Sequence, residues 1–180
     1  AERYTGLGVD VLQGYARLID PWTVEVALND GGTRRLTTRS IVIATGAAPF
    51  VPPLPGIDEV GYLTSDTMWE ALRDRLDPPA RLVVLGGGPI GTELSQAFAR
   101  LGSSVTQIEM LPRLMLREDA EVSALVQRAL EDDGVTVLTG HKALRCEQVG
   151  EEKFLVVEAA GQVRRLPFDA LLCAVGRVAR

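Results

Sequence analysis

The sequence predicts an α/β protein whose larger part is a parallel sheet covered by helices. Three observations carry this expectation. Strand-length apolar runs alternate with helix-length segments between Arg81 and Leu138. The first of those strands runs straight into Gly86-Gly87-Gly88-Pro89-Ile90-Gly91, a glycine-rich turn that opens a helix. The stretch from Pro49 to Gly56 contains four prolines, which no helix or central strand tolerates, and it sets a strand-rich first part off from the rest.

The elements follow in chain order. Val9–Leu12 and Gly14–Ile19 read as strands, with a turn at Asp20-Pro21. Thr23–Leu28 alternates like a half-buried strand, and Asn29-Asp30-Gly31-Gly32 turns it into a hairpin with Thr33–Thr38. Ile41–Ala44 is continuously apolar, as in a strand buried on both faces. Ser65 or Asp66 is expected to cap a helix running to about Leu76, with Glu70 at capping-box-like distance and Pro78-Pro79 as the stop.

Arg81–Leu85 is then a strand, Pro89–Leu101 a helix ended by Gly102, and Val105–Glu109 a strand. Glu118–Asp133 is a helix ended by Gly134, and Val135–Leu138 a third strand. This order predicts parallel strands joined by right-handed crossovers. Shorter strands near 142–148, 153–159 and 162–167 suggest a small antiparallel meander, and Ala170–Val175 a last buried strand. The expected division is a β-rich segment over residues 1–50, a proline-rich linker over 51–64 and the main domain over 65–178.

Composition excludes several classes. The formal net charge is −5, and the basic pairs Arg34-Arg35 and Arg164-Arg165 form no stripe, so no nucleic-acid partner is expected. No apolar run reaches the ~20 residues of a membrane helix, and the first residues show no signal core, so the expected compartment is the cytoplasm. Cys146, Cys173 and His141 are too few and too scattered for a metal site. The cysteines are expected as small core residues and His141 at the surface.

The glycine-rich turn carries the chemistry. Gly86 allows the tight turn, Gly88 leaves room for a pyrophosphate to approach the backbone, and Gly91 lets the helix pack close to the strands. The helix N-terminus offers free N–H groups and the positive end of a dipole. Glu109 ends the next strand about twenty residues later, where a carboxylate accepts hydrogen bonds from ribose hydroxyls and repels a 2′-phosphate. Residues 110–112 are Met, Leu and Pro, so NADH is expected over NADPH. A tight strand–helix turn with no ligand, and a methyltransferase with a similar loop, are the competing readings.

Further segments carry a resemblance. Gly14-Tyr15-Ala16-Arg17-Leu18 with Thr23-Val24-Glu25-Val26, Ile41-Val42-Ile43-Ala44-Thr45-Gly46-Ala47-Ala48-Pro49, Pro52–Gly56, Thr64-Ser65-Asp66 and Ala174-Val175-Gly176-Arg177 stand in this order around the glycine-rich turn. In that arrangement the chain resembles the pyridine nucleotide–disulfide oxidoreductases, such as dihydrolipoamide dehydrogenase, glutathione reductase and mercuric reductase, with wording closest to mercuric reductase-like members. The resemblance implies a Rossmann-like NAD-binding domain preceded by a β-rich piece of an FAD domain.

It also implies site roles. Gly86, Gly87, Gly88, Pro89, Ile90 and Gly91 would cradle the NAD pyrophosphate. Glu93 would lie beside the nicotinamide, unless it is an ordinary exposed helix residue. Glu109 would hold the adenosine ribose, Ala143 would contact the adenine region, and Gly176 would line the nicotinamide end. Ala16 would meet the FAD adenine, and Thr45, Gly46 and Ala47 would lie along the FAD. No catalytic residue is expected within the chain. The family's first G-x-G-x-x-G and its redox C-x-x-x-x-C would precede the segment, and an interface domain with catalytic His and Glu would follow. The expectation is a central fragment, inactive alone, of a homodimeric oxidoreductase that passes hydride from NADH to FAD and then to a disulfide or metal ion. Two alternatives stay open: a non-catalytic dinucleotide-binding module, and FAD rather than NAD in the glycine-rich loop. The apolar Ile41–Ala44 strand, without partners, is expected to be poorly ordered or to drive self-association.

Overall fold

The structure is a computed structural model that describes Glu2 to Ala179. Contacts divide it into two compact units, one up to Thr45 and one from Gly46 onward.

The first unit holds a short helix, α1 (Glu2–Thr5), and strands β1 (Gly14–Asp20), β2 (Thr23–Leu28) and β3 (Thr33–Thr37). The strands form an antiparallel sheet in that order. The register puts Leu18 beside Val24 and Val24 beside Leu36, and Ala16 beside Val26, so one face is largely apolar, with Arg34 beside Val26 as its charged member. The other face pairs Arg17 and Arg35 with Glu25. Val26 is buried, while Tyr15 and Trp22 are exposed.

Two expected strands are absent here. Val9–Leu12 forms none, because the Val9 N–H turns back to the Tyr4 carbonyl at 3.1 Å and no strand pairs with the segment among the described residues. Ile41–Ala44, expected as a buried strand, is irregular, with Val42 87% and Ile43 70% exposed. Apolar sequence does not make a strand without a neighbour to complete its backbone hydrogen bonds.

The second unit runs through β4 (Ala47–Pro49), α2 (Ile57–Val60), β5 (Leu63–Thr64), α3 (Met68–Ala71), β6 (Arg81–Leu85), α4 (Pro89–Arg100), β7 (Ser104–Glu109), α5 (Ala120–Asp132) and β8 (Thr136–Thr139). It continues with β9 (Lys142–Val149), β10 (Glu152–Ala159), β11 (Gln162–Phe168), β12 (Ala170–Cys173) and β13 (Arg177–Ala179). Five strands make a parallel sheet in the order β5-β12-β6-β7-β8. The meander β9-β10-β11 is a separate antiparallel sheet, and β13 pairs with β4.

Alternation along the parallel strands feeds two cores. Leu82, Val84, Val105 and Leu172 pack with Met68, Phe98, Leu114 and Leu130 on the helical side. Val83, Leu85, Ile108, Leu171 and Cys173 pack with Leu155, Val157, Phe168 and Cys146 of the meander and with Ile57 and Val60. The parallel sheet is therefore covered on both faces, which is why its central strands β6 and β12 read as continuous apolar runs. The proline-rich stretch packs on the meander side through Val51 and Leu54, and the Cys146 N–H donates to the Pro55 carbonyl at 2.8 Å.

The helix expected from Ser65 or Asp66 to Leu76 is reduced to one turn, Met68–Ala71. The Thr64 hydroxyl accepts from the Asp66 and Thr67 N–H groups, at 3.3 and 3.2 Å, and the Thr67 hydroxyl accepts from the Thr64 N–H. These short polar links hold a turn in place of a helix start. Glu70 pairs with Arg73 rather than reaching back as a cap. No described helix is long and apolar enough to cross a membrane.

Arg81 ties the layers together. Its guanidinium binds Asp169 at 2.7 Å and Glu152 at 3.2 Å, and its N–H donates to Asp169 at 2.8 Å. The hydrogen bonds from Arg81 hold the Asp169 carboxyl below the usual carboxylate range, against the opposing pull of burial. Stability from a carboxylate with a depressed pKa is present above the unfolded value near pH 4 and is lost as pH falls through the folded value. Asp169→Asn is expected to lower the thermal midpoint by a few degrees above about pH 4. The gap to the wild type should close toward pH 2, and a gap independent of pH would remove Asp169 from the acid response. Phe168→Ala should lower the unfolding free energy by about 3–5 kcal/mol in urea titration. A loss below about 1 kcal/mol would mean that the meander does not share the sheet's core.

Candidate functional site

β6 enters the site and α4 leaves it. Gly86 has φ +119°, which favours glycine, and a Cβ built there would overlap the Ala174 carbonyl at the end of β12. A Cβ at Gly91 would overlap the Gly86 carbonyl and stand 3.4 Å from Ala174 Cβ. These two glycines are closed by packing. Gly88 differs, because a Cβ there would meet nothing within 4 Å. It is the N-cap of α4 in extended conformation, with Pro89 as the first helical residue.

The N–H groups of Ile90 and Gly91 lie in the first helical turn, where no intrahelical carbonyl reaches them. They and the open face of Gly88 form a cradle with the positive end of the α4 dipole. The cradle sits at the C-terminal ends of β6 and β12. From β6 the chain proceeds through β7 to β8 on one side, while β12 returns on the other. Such a switch of direction is where open α/β sheets form ligand crevices.

Glu109 is brought to the turn. Its Oε2 accepts from the Gly87 N–H at 2.7 Å and its Oε1 accepts from the Leu111 N–H at 2.8 Å. A carboxylate has about four acceptor sites, so each oxygen keeps one for a further donor. The loop after Glu109 folds over Gly87, with the Met115 N–H donating to the Gly87 carbonyl at 2.8 Å and Leu114 fully buried. Arg113, the first cation after Glu109, donates to the carbonyls of Glu118 at 2.8 Å and Leu116 at 3.0 Å. Its charge is engaged within its own loop.

The other expected residues fall as follows. Glu93 is exposed in the first half of α4, Pro89 is exposed and Ile90 half-buried. Ala143 lies in β9 opposite Val157, partly buried against the meander-side core. Gly176 follows β12 with φ +141°, and its carbonyl accepts from the Phe50 N–H at 2.9 Å. Gly46 has φ +74°, and Ala47 opens β4, its carbonyl accepting from Arg177. Ala16 lies exposed in β1, and Thr45 closes the same first unit.

His141, expected at the surface, is half-buried, with Nδ1 2.8 Å from the Thr139 carbonyl. Burial first, then the charge of Glu59, pushes the Cys146 thiol up to about 11. Burial, then Cys146, pushes Cys173 up to about 12. Neither supplies a thiolate at neutral pH. No cluster of metal-ligating side chains occurs among the described residues.

Two features escaped the sequence reading. Arg177 reaches Ser65 and Asp66, each at 2.9 Å, joining the end of the sheet to the turn before α3. Gln107, buried under the glycine-rich turn, gave no signal in sequence, because its strand Ser104–Glu109 mixes polar and apolar residues throughout. Gly91→Ala is expected to cost at least ~2 kcal/mol of stability, because its methyl group would meet backbone. Gly88→Ala should change stability by no more than about 1 kcal/mol. Equal losses in the two variants, measured by urea unfolding, would contradict this reading of the turn.

The chain is similar to known proteins over most of its length. A family model described as Pyridine nucleotide-disulphide oxidoreductase matches residues 2–180. A mercuric reductase from Bacillus cereus is 38% identical over 98% of this chain and 27% of its own length. A dihydrolipoyl dehydrogenase from Thermus scotoductus is 38% identical over 96% of this chain and 36% of its own. Among solved structures, the Cu(II) complex of the HOCl-induced flavoprotein disulfide reductase RclA from Escherichia coli superposes with a TM-score of 0.71. The two are 32% identical over 93% of this chain and 36% of that one. The water-forming NADH oxidase from Lactobacillus brevis, bound to NADH, gives 0.68 at 25% identity, over 91% of this chain and 37% of the other. The chain thus spans about a quarter to two fifths of the length of these relatives.

Proposed function

Because the chain belongs to the pyridine nucleotide-disulphide oxidoreductase family, we propose that residues 65–178 bind NAD(H) within a longer flavoprotein. The carrying observation is the difference among the three glycines. Two are sealed by backbone, and Gly88 alone faces open space at a helix N-terminus. That is the arrangement a pyrophosphate requires.

In this reading the Ile90 and Gly91 N–H groups hold the phosphates and Glu109 accepts from the ribose hydroxyls of the adenosine. Glu93 stands on the exposed face of α4 toward the nicotinamide, while Ala143 and Gly176 border the adenine and nicotinamide ends. Bound there, NADH would supply a hydride to FAD in the intact protein, for delivery to a disulfide or metal-ion acceptor. Ala16, Thr45, Gly46 and Ala47 would contact that FAD. The chain's own part is to bind and orient. Its cysteines are buried and protonated.

NADH is proposed over NADPH. The Glu109 carboxylate would repel a 2′-phosphate, and Arg113 spends its donors on Leu116 and Glu118. Titration of the chain with NADH, followed by nicotinamide fluorescence, tests both claims. Glu109→Ala and Gly88→Ala should each weaken binding about tenfold or more. Gly88→Ala separates site from scaffold, since its fold should be retained. Unchanged binding in that variant would sink the cradle. Tighter binding of NADPH would overturn the preference and point to Arg117, exposed in the same loop.

A further inference from the structure

Gln107 is a residue that neither the strand pattern nor the family reading accounts for. It lies in β7 on the same face as Val105, toward α4, and is fully buried. Its Nε2 donates to the Gly86 carbonyl at 3.0 Å and to Thr92 Oγ1 at 3.3 Å. Its Oε1 is buried with no hydrogen-bond partner. An apolar side chain of similar length would fill this space without a stranded acceptor. A polar group kept in a core at such a cost marks a place where something other than stability is being set.

The geometry of one peptide group shows what. The Gly86 carbonyl and the Gly87 N–H belong to the same rigid plane. Gln107 donates to its oxygen and Glu109 accepts from its nitrogen, at 3.0 and 2.7 Å. Between them, the Ile108 carbonyl accepts from the Gly86 N–H at 2.8 Å. Three successive residues of β7 grip the turn, and two of them hold opposite edges of one plane. The same Gly86 carbonyl is the atom against which Gly91 packs. If the plane swings, Gly91 and the first turn of α4 lose their seat.

We propose that Gln107 is a positioning residue for the dinucleotide. By clamping the Gly86–Gly87 peptide together with Glu109, it presets the phosphate cradle at Gly88, Ile90 and Gly91. The inference rests on the NAD(H) reading above. It also makes Glu109 a residue with two duties, since the carboxylate that would meet ribose holds the turn as well.

The test is Gln107→Met, which keeps the length and removes the donor. Three readouts are needed: affinity for NADH and for ADP-ribose, amide hydrogen exchange at Gly87, and the thermal midpoint. Both ligands carry the pyrophosphate, so both should weaken by a similar factor, about tenfold. Exchange at Gly87 should quicken while that of Leu155 and Val156 in the meander is unchanged. The midpoint should stay close to wild type, because losing the stranded Oε1 offsets losing the bond to Gly86. Unchanged affinity with unchanged Gly87 exchange overturns the proposal. So does a lowered midpoint with faster exchange throughout the sheet, which is the mark of a merely structural residue. If the methionine variant does not fold, Gln107→Asn, whose amide is one methylene too short to reach Gly86, carries the same expectations for ligand affinity and for exchange at Gly87, with unchanged exchange in the meander and a midpoint below wild type because its amide stays buried without partners. A wild-type chain that binds neither ligand sinks the NAD(H) reading, and Gly87 exchange then decides whether Gln107 clamps the turn.

Discussion

The site hangs on backbone meeting backbone at one point. The Gly86 carbonyl, the Gly91 α-carbon and the Ala174 backbone crowd together where β6 ends, β12 ends and α4 begins. No side chain fits between them. That closeness aims the helix N-terminus across the ends of the strands and not away from them. It also turns an ordinary helix start into a concentrated patch of unsatisfied N–H groups. Pro89 at the first helical position adds a preset φ and removes a donor that the helix would not use.

The rest of the second unit keeps that point in place. Helices cover one face of the parallel sheet and the meander covers the other, so β6 is buried on both sides. Arg81 fastens the opposite end of β6 to Asp169 and Glu152. At the site end the fastening passes through β7, whose Gln107, Ile108 and Glu109 each hold a group of the turn. A strand anchored at both ends gives the loop between β6 and α4 little freedom. A rigid loop binds phosphate with little ordering left to do.

Much of this was legible in the residues. The parallel strands and the two long helices could be placed because their apolar spacing is strong and glycines mark their ends, as Gly102 and Gly134 do for α4 and α5. The glycine-rich turn could be read because each glycine has a geometric reason. Errors gathered where local signals were weak or where pairing decides. Ile41–Ala44 has the composition of a core strand and is irregular, since composition supplies no hydrogen-bond partner. The expected helix from Ser65 or Asp66 shrank because the Thr64 and Thr67 hydroxyls take up the backbone groups first. The short pairings of β5 with β12 and β4 with β13 left no mark in sequence, because strands of two or three residues carry no periodicity.

The sequence by itself determined the α/β class, the strand–turn–helix unit at Arg81–Arg100, the acidic residue placed to face it and the candidate dinucleotide chemistry. These follow from local rules: side-chain period, backbone freedom at glycine, and charge at a helix end. Only the tertiary structure decided which glycine stays open, that Glu109 already serves the turn through Gly87 and Leu111, that Arg113 is occupied, and that Gln107 holds the Gly86 carbonyl. The reason is that each of these is a meeting of particular atoms at a single point in space, between residues as near in sequence as Glu109 and Leu111 and as far apart as Gly86 and Ala174. Spacing along a chain constrains such contacts without specifying which atoms finally meet.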